Sequence, residues 1–242
     1  GKSTVAVNLA TALAMRGHQV GIRDADIHGP DIPKMLGVQG ERMMGSEAGL
    51  TPVLGPLNIR VASMEFLIQD PDTPIIWRGP LKMRAISELL SNVMWGELDF
   101  LIIDLPPGTG DESLSVMQLL PDLEGVIIVV TPQEVALLDS RKAVMMVRKM
   151  KLPVLGLIEN MSGFYCPHCG KRTDIFGSGG GRNAAKELNL RFLGALPFDH
   201  RAMQLSDEGK PFIAVAPDTP LAKAFDKVVE NLLPRLGHRR TQ

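Results

Sequence analysis

The sequence predicts a doubly wound α/β fold, a mostly parallel sheet flanked by helices, and three observations carry that reading. Short apolar runs bounded by turn signals recur along the chain, separated by helix-length segments. Several runs are apolar nearly throughout rather than alternating, as in Phe100-Leu101-Ile102-Ile103 and Val126-Ile127-Ile128-Val129-Val130. That pattern marks strands covered on both faces. The third observation is the start of the chain, where Gly1-Lys2-Ser3-Thr4 opens directly into a helical pattern. A helix N-terminus in that position is ready to receive phosphate.

Taken in order, the elements are well signed. Gly1-Lys2-Ser3-Thr4 reads as the last four residues of a phosphate-binding P-loop, G-x-x-x-x-G-K-[ST]. The sheet is then of the P-loop NTPase type, with its first strand and the start of the loop expected upstream of Gly1. Ser3 to Arg16 predicts a helix with Val5, Leu9 and Leu13 apolar and Gly17 as its stop. Strands are expected at Gln19–Asp24, Leu57–Ser63, Leu98–Asp104, Gly125–Thr131, Pro153–Asn160 and Phe192–Leu196. Glu134–Met150, acidic at its start and basic at its end, suits the helix dipole. Thr219-Pro220 supplies an N-cap and first-turn proline for a last helix with Leu221, Phe225, Val228, Val229 and Leu232 on one side. Two stretches break the rhythm. Pro30–Pro56, rich in Gly, Pro and Met, predicts a loosely structured excursion, and Ser162–Gly181 a protruding loop.

The length of 242 residues suits one domain over 1–242, with the protruding, metal-binding loop at about 162–181. Charges nearly cancel, 26 basic against 27 acidic, so no electrostatic footprint for nucleic acid or an anionic membrane is expected. No run of apolar residues is long enough to span a bilayer. Two cysteines close together argue against a disulfide scaffold and for a reducing, cytoplasmic setting.

Three motifs carry chemistry. The run Leu98–Asp104 is an apolar strand ending in a carboxylate, a Walker B pattern that can hold Mg²⁺ directly or through water. Pro106-Pro107-Gly108-Thr109-Gly110-Asp111 follows it, glycine permitting close approach to a γ-phosphate. Asp24-Ala25-Asp26 ends the second strand, where two acids can orient an attacking water and contact the metal shell. Arg23 directly before them is odd in a buried strand and has no account in the sequence. Cys166-Pro167-His168-Cys169-Gly170 puts two thiolates on one tight knuckle, whereas a closed metal site needs about four ligands. Either His168 and distant groups complete it, or two chains each give two thiolates across a twofold axis. The latter suits an iron–sulfur cluster or zinc; a redox dithiol or an inert pair is the remaining alternative. Trp77-Arg78-Gly79-Pro80 offers an arginine to phosphate or a solvated helix entry, and Gly177–Gly181 reads as flexible loop.

Together these residues resemble the Mrp (ApbC-like) family of P-loop ATPases, relatives of the MinD/ParA group, over almost the whole chain. The carriers are Gly1-Lys2-Ser3-Thr4, Asp24-Ala25-Asp26-Ile27-His28-Gly29-Pro30, Trp77-Arg78-Gly79-Pro80, Asp104 to Asp111, Glu159-Asn160-Met161 and Cys166-Pro167-His168-Cys169. The resemblance implies ATP and Mg²⁺ as cofactors. Gly1 and Lys2 would contact phosphate, Ser3 would bind Mg²⁺, and Thr4 would support the α-phosphate. Asp26 would position water, with Lys2 as its catalytic partner, and Asp104 would hold the Mg²⁺ shell. Asn160 would read the adenine edge, with Pro197 and Asp199 beside the base. Cys166 and Cys169 would bridge a [4Fe-4S] cluster between the subunits of a homodimer. The implied function is an ATP-hydrolysing carrier that delivers the cluster to apo-proteins. The alternative is a nucleotide-switched spatial regulator of the MinD/ParA kind, which binds membrane or DNA.

Overall fold

The computed structural model describes residues 1–26, 29–67, 87, 89, 91–108, 111–120 and 123–236. Ile27, His28, Thr109, Gly110, the Trp77-Arg78-Gly79-Pro80 segment and the basic tail after Leu236 lie outside them. The chain divides into two compact units: residues 2–121 with 204–214, and residue 1 with 122–203 and 215–242.

In the unit formed by 2–121 and 204–214, helix α1 (Lys2–Met15) leads through Gly17, at φ 87°, into strand β1 (Val20–Asp24). Strand β1 lies centrally in a four-stranded sheet. It pairs in parallel with β5 (Arg60–Ser63) and with β6 (Phe100–Asp104), while the short β4 (Val53–Leu54) pairs antiparallel to β5. The register sets Asp24 opposite both Ser63 and Asp104, so three polar residues close the carboxyl ends of three apolar strands. This is where parallel α/β sheets place their ligands.

Helix α1 packs on β1 and β6. It is buried over every residue from Val5 to Leu13, not along one stripe. Its two polar residues there are satisfied. The Thr11 hydroxyl donates to the Val7 carbonyl at 2.8 Å, and Asn8 Nδ2 donates to the Thr4 carbonyl at 2.9 Å. Asn8 Oδ1 also accepts the Ile213 N–H at 3.2 Å, tying in the helical turn α7 (Phe212–Val215).

The excursion is more ordered than its composition suggests. It forms the short helix α2 (Ile32–Met35) and the hairpin β2 (Met44–Ser46) and β3 (Gly49–Thr51), with Ile32, Leu36, Val38 and Met43 buried. The strand expected from Leu57 begins only at Arg60, because Leu57 and Asn58 turn the chain at φ 56° and 60°. After β6, helix α3 (Asp111–Gln118) follows.

The other unit holds a three-stranded parallel sheet in the order β11–β8–β7, from Phe192–Ala195, Val154–Glu159 and Val126–Val130. Helix α4 (Glu134–Lys149) packs on β7 and β8, α5 (Gly180–Glu187) on β8 and β11, and α8 (Pro220–Leu236) on β11 and β8. The α8 stripe buries Leu221, Phe225, Val228, Val229 and Leu232 as its periodicity predicts. Between β8 and α5 stand the two-residue strands β9 (Phe164–Tyr165) and β10 (Arg172–Thr173), paired antiparallel. Helix α6 (His200–Asp207) completes the set. Among the described residues, no helix is long and apolar enough to cross a membrane.

Candidate functional site: a phosphate end and a cysteine knuckle

At the carboxyl ends of β1 and β6, the first turn of α1 meets two buried acids. Lys2 Nζ stands 3.8 Å from Asp104 Oδ1, and the Asp104 side chain is 4% exposed. Burial raises the Asp104 carboxyl above its usual range, although the Lys2 ammonium and a Ser3 hydrogen bond pull the other way. Asp104 Oδ2 is buried with no hydrogen-bond partner among the described residues. An orphaned buried carboxylate oxygen is costly, and a hard cation bound there would satisfy it. The donor set of Ser3 and Asp104 therefore fits Mg²⁺, which when bound neutralises charge on phosphate oxygens.

Asp24 and Asp26 face different surroundings. Asp24 is 1% exposed. Its Oδ1 accepts the Asp26 N–H at 3.1 Å, and its Oδ2 accepts the Ile32 N–H at 3.3 Å and the Ser63 hydroxyl at 3.4 Å. Burial pushes its carboxyl up to about 8, with the charges of Asp104 and Asp26 adding to the rise and the two N–H donors opposing it. Asp24 thus shapes the loop after β1. Asp26 is half-buried, and its Oδ1 accepts the Gly29 N–H at 3.3 Å. Arg23, on the strand between them and Ile22, lies over the Trp95 ring with 5.2 Å from Cζ to the centroid. Burial lowers its guanidinium to about 10. The aromatic ring offsets part of the cost of burying this cation, while its Nε has no hydrogen-bond partner among the described residues. Beyond β6, Gly108 takes φ 86° and the Ser113 hydroxyl donates to the Pro106 carbonyl at 3.1 Å, fixing the turn that leads into α3.

In the unit that holds β7, β8 and β11, Asn160 follows β8 directly. Its N–H bonds to the Val130 carbonyl at 2.7 Å, its Oδ1 accepts the Met161 N–H at 2.9 Å, and its Nδ2 reaches the Gly1 carbonyl at 3.4 Å. The segment 160–163 runs beside 196–198, through Ser162 N–H to the Leu196 carbonyl and Phe198 N–H to the Gly163 carbonyl, each at 2.8 Å. Asn160, Pro197 and Asp199 thus belong to neighbouring segments. Pro197 is buried. Asp199 is committed to Arg201: its Oδ1 accepts Nε at 2.9 Å and the backbone N–H at 3.0 Å, and its Oδ2 accepts Nη2 at 2.5 Å. Burial works to raise the Asp199 carboxyl, but the Arg201 hydrogen bonds and charge outweigh it and leave it below the ordinary carboxylate range.

The cysteines sit on the tip joining β9 to β10. The Cys166 N–H donates to the Lys171 carbonyl at 2.9 Å, and the Gly170 N–H donates to the Cys166 carbonyl at 2.8 Å, with Gly170 at φ 69°. Backbone N–H groups of His168 and then Cys169 point at the Cys166 sulfur and lower its thiol below the usual value. Both thiols are free; Cys166 is half-buried and Cys169 exposed. A tight turn with N–H groups aimed at sulfur favours the thiolate that a soft metal requires. Among the described residues, no three His, Cys, Asp or Glu side chains converge to complete a metal site.

In the sequence, Glu159 is marked only as part of Glu159-Asn160-Met161, with no sign of its surroundings. Glu159 ends β8 fully buried and accepts hydrogen bonds from the Ser162 hydroxyl at 2.5 Å, the Gly179 N–H at 2.9 Å and the Gly181 N–H at 2.5 Å. The glycine run expected to be flexible is the seat of this carboxylate. The only available signal was the run's position at the start of a helix.

A lysine and a hydroxyl in the first turn of α1, set against an acid at the end of a parallel strand, define a P-loop NTPase. Comparison with known proteins places it more narrowly. Residues 1–233 match the family described as "ParA: NUBPL iron-transfer P-loop NTPase", and the chain belongs to that family. It is 51% identical over 240 residues to a protein of Methanocaldococcus jannaschii named "Iron-sulfur cluster carrier protein", covering 99% of this chain and 82% of that one. A nucleotide-binding protein from Archaeoglobus fulgidus, solved in complex with ADP and with Co found, is 43% identical. It superposes with a TM-score of 0.76 over 87% of this chain and 82% of its own. The cell division ATPase MinD of Pyrococcus furiosus shares the fold at a TM-score of 0.73, with 22% identity over 97% of this chain and 93% of its own.

Proposed function

We propose that this chain is an Mg²⁺- and ATP-dependent carrier of iron–sulfur clusters, working as a single nucleotide-binding domain in the cytoplasm. Two copies would each give Cys166 and Cys169 to one [4Fe-4S] cluster, the cargo, which the dimer delivers to apo-proteins. The observation that carries this reading is the knuckle itself: a preformed pair of free thiols, one with a lowered pKa. The two thiols of the knuckle supply half of a four-sulfur site, and a second copy would supply the other half. Tyr165, Ile175 and Phe176 are exposed apolar residues on the same loop, a surface that a second copy would cover. The names and ADP complex of the relatives support the same reading.

In the nucleotide half of the proposal, Lys2 and the N–H groups of Gly1, Lys2 and Ser3 receive phosphate, and Thr4 supports it. Ser3 and Asp104 hold Mg²⁺, and Asp26 orients water. Asn160 reads the base edge beside Pro197 and Asp199. Hydrolysis would change the dimer's geometry and so hold or release the cargo. The test is anaerobic reconstitution with iron and sulfide, followed by transfer to an apo-ferredoxin with and without Mg-ATP. The expected result is a visible cluster absorbance that moves to the acceptor and is lost in Cys166→Ala. An unchanged spectrum in that variant sinks the bridging site.

A further inference from the structure

The segment that carries the cysteines is closed at both ends by one buried side chain. Glu159 takes the Ser162 hydroxyl from the entry of the loop and the Gly179 and Gly181 N–H groups from its exit. The exit is built for this contact. A Cβ on Gly181 would lie 3.0 Å from Glu159 Oε2 and 2.9 Å from Val130 Cγ2, and one on Gly180 would lie 2.3 Å from the Pro132 carbonyl oxygen. Only glycine lets the start of α5 press this closely on the end of β8 and the segment after β7. The carboxylate also meets the positive end of α5.

The residue after Glu159 is Asn160, whose backbone is pinned to Val130 and whose side chain reaches Gly1. Met161 then turns at φ 57° to bring Ser162 back onto the Glu159 carboxylate. Asn160 is thus one residue from a side chain that holds both ends of the knuckle loop through three hydrogen bonds. We infer that Glu159 is a positioning residue that couples occupancy at Asn160 to the geometry of the Cys166–Cys169 knuckle. This rests on the proposed reading of Asn160 as a base contact and of the cysteines as metal ligands.

The test is linkage. The full chain is titrated with Co²⁺, followed by its thiolate charge-transfer band, in the absence and presence of saturating Mg-ADP; ADP affinity is measured with and without Co²⁺. Wild type is expected to show a reciprocal change, in the range of about 5–150-fold typical of coupled sites. Glu159→Gln turns one of the two carboxylate oxygens into an NH₂ donor, which in either orientation faces a backbone N–H, that of Gly179 or that of Gly181. It should keep both bindings but reduce the coupling to less than about twofold. Ser162→Ala, a milder change that removes one donor, should reduce it in part. Coupling that survives intact in both variants overturns the inference, as does a wild type that binds both ligands independently. A wild type with no cobalt–thiolate band sinks the reading of the cysteines and the inference with it, and is told apart by that missing band.

Discussion

Burial holds the Asp24 carboxyl at about 8 in the folded chain, against about 3.9 when unfolded. A carboxyl raised on folding favours the folded state while protonated, so its contribution is full below about pH 4 and is lost as pH rises to about 8. In the absence of metal, denaturant midpoints should fall over that window as the group ionises. Asp24→Asn should flatten the slope; identical slopes would contradict the assignment. For Lys2, which stands near Asp104, Lys2→Ala should weaken ADP binding about 10–100-fold by calorimetry. The meeting of Lys2 with Asp104 was legible because it depends on residue type at fixed spacing beside a helix start and a strand end. Glu159 was not, since an acid ending an apolar run reads the same whether it meets solvent or a ring of N–H donors. The full burial of Asp24 beside a half-buried Asp26 was equally hidden, because register with β5 and β6 decides it.

Among the elements, α1 shows how periodicity underestimates burial. Val5, Leu9 and Leu13 mark one stripe, yet Ala6, Ala10 and Ala12 are small enough to let neighbours close over the rest. Asn8 then becomes a buried connector between α1 and α7. Asn8→Ala leaves the Ile213 N–H unpaired and should cost about 1–3 kcal/mol in chemical denaturation. The start of α5 is similar in kind. Gly181→Ala gains helix propensity but forces a methyl onto Glu159 and Val130, and should destabilise by about 1–3 kcal/mol despite that gain. A neutral or stabilising effect would show that the contact yields. Strands such as β7 and β8 were legible as unbroken apolar runs. The excursion between Pro30 and Pro56 was not, because its order comes from a few residues, Ile32, Leu36 and Met43, reaching the core.

At the scale of the whole molecule, the parallel pairing of β1 with β5 and β6, and of β8 with β7 and β11, is what the α/β rhythm predicts. Family membership agrees with it. The central proposal is that two thiols per chain become a complete site only when two chains meet. Native mass spectrometry of the anaerobically reconstituted protein with Mg-ATP tests this most directly. The account predicts a species of two chains carrying one [4Fe-4S] cluster, absent in Cys166→Ala. A chain that stays monomeric with metal and nucleotide both supplied, or a dimer that keeps its cluster without Cys166, would contradict it.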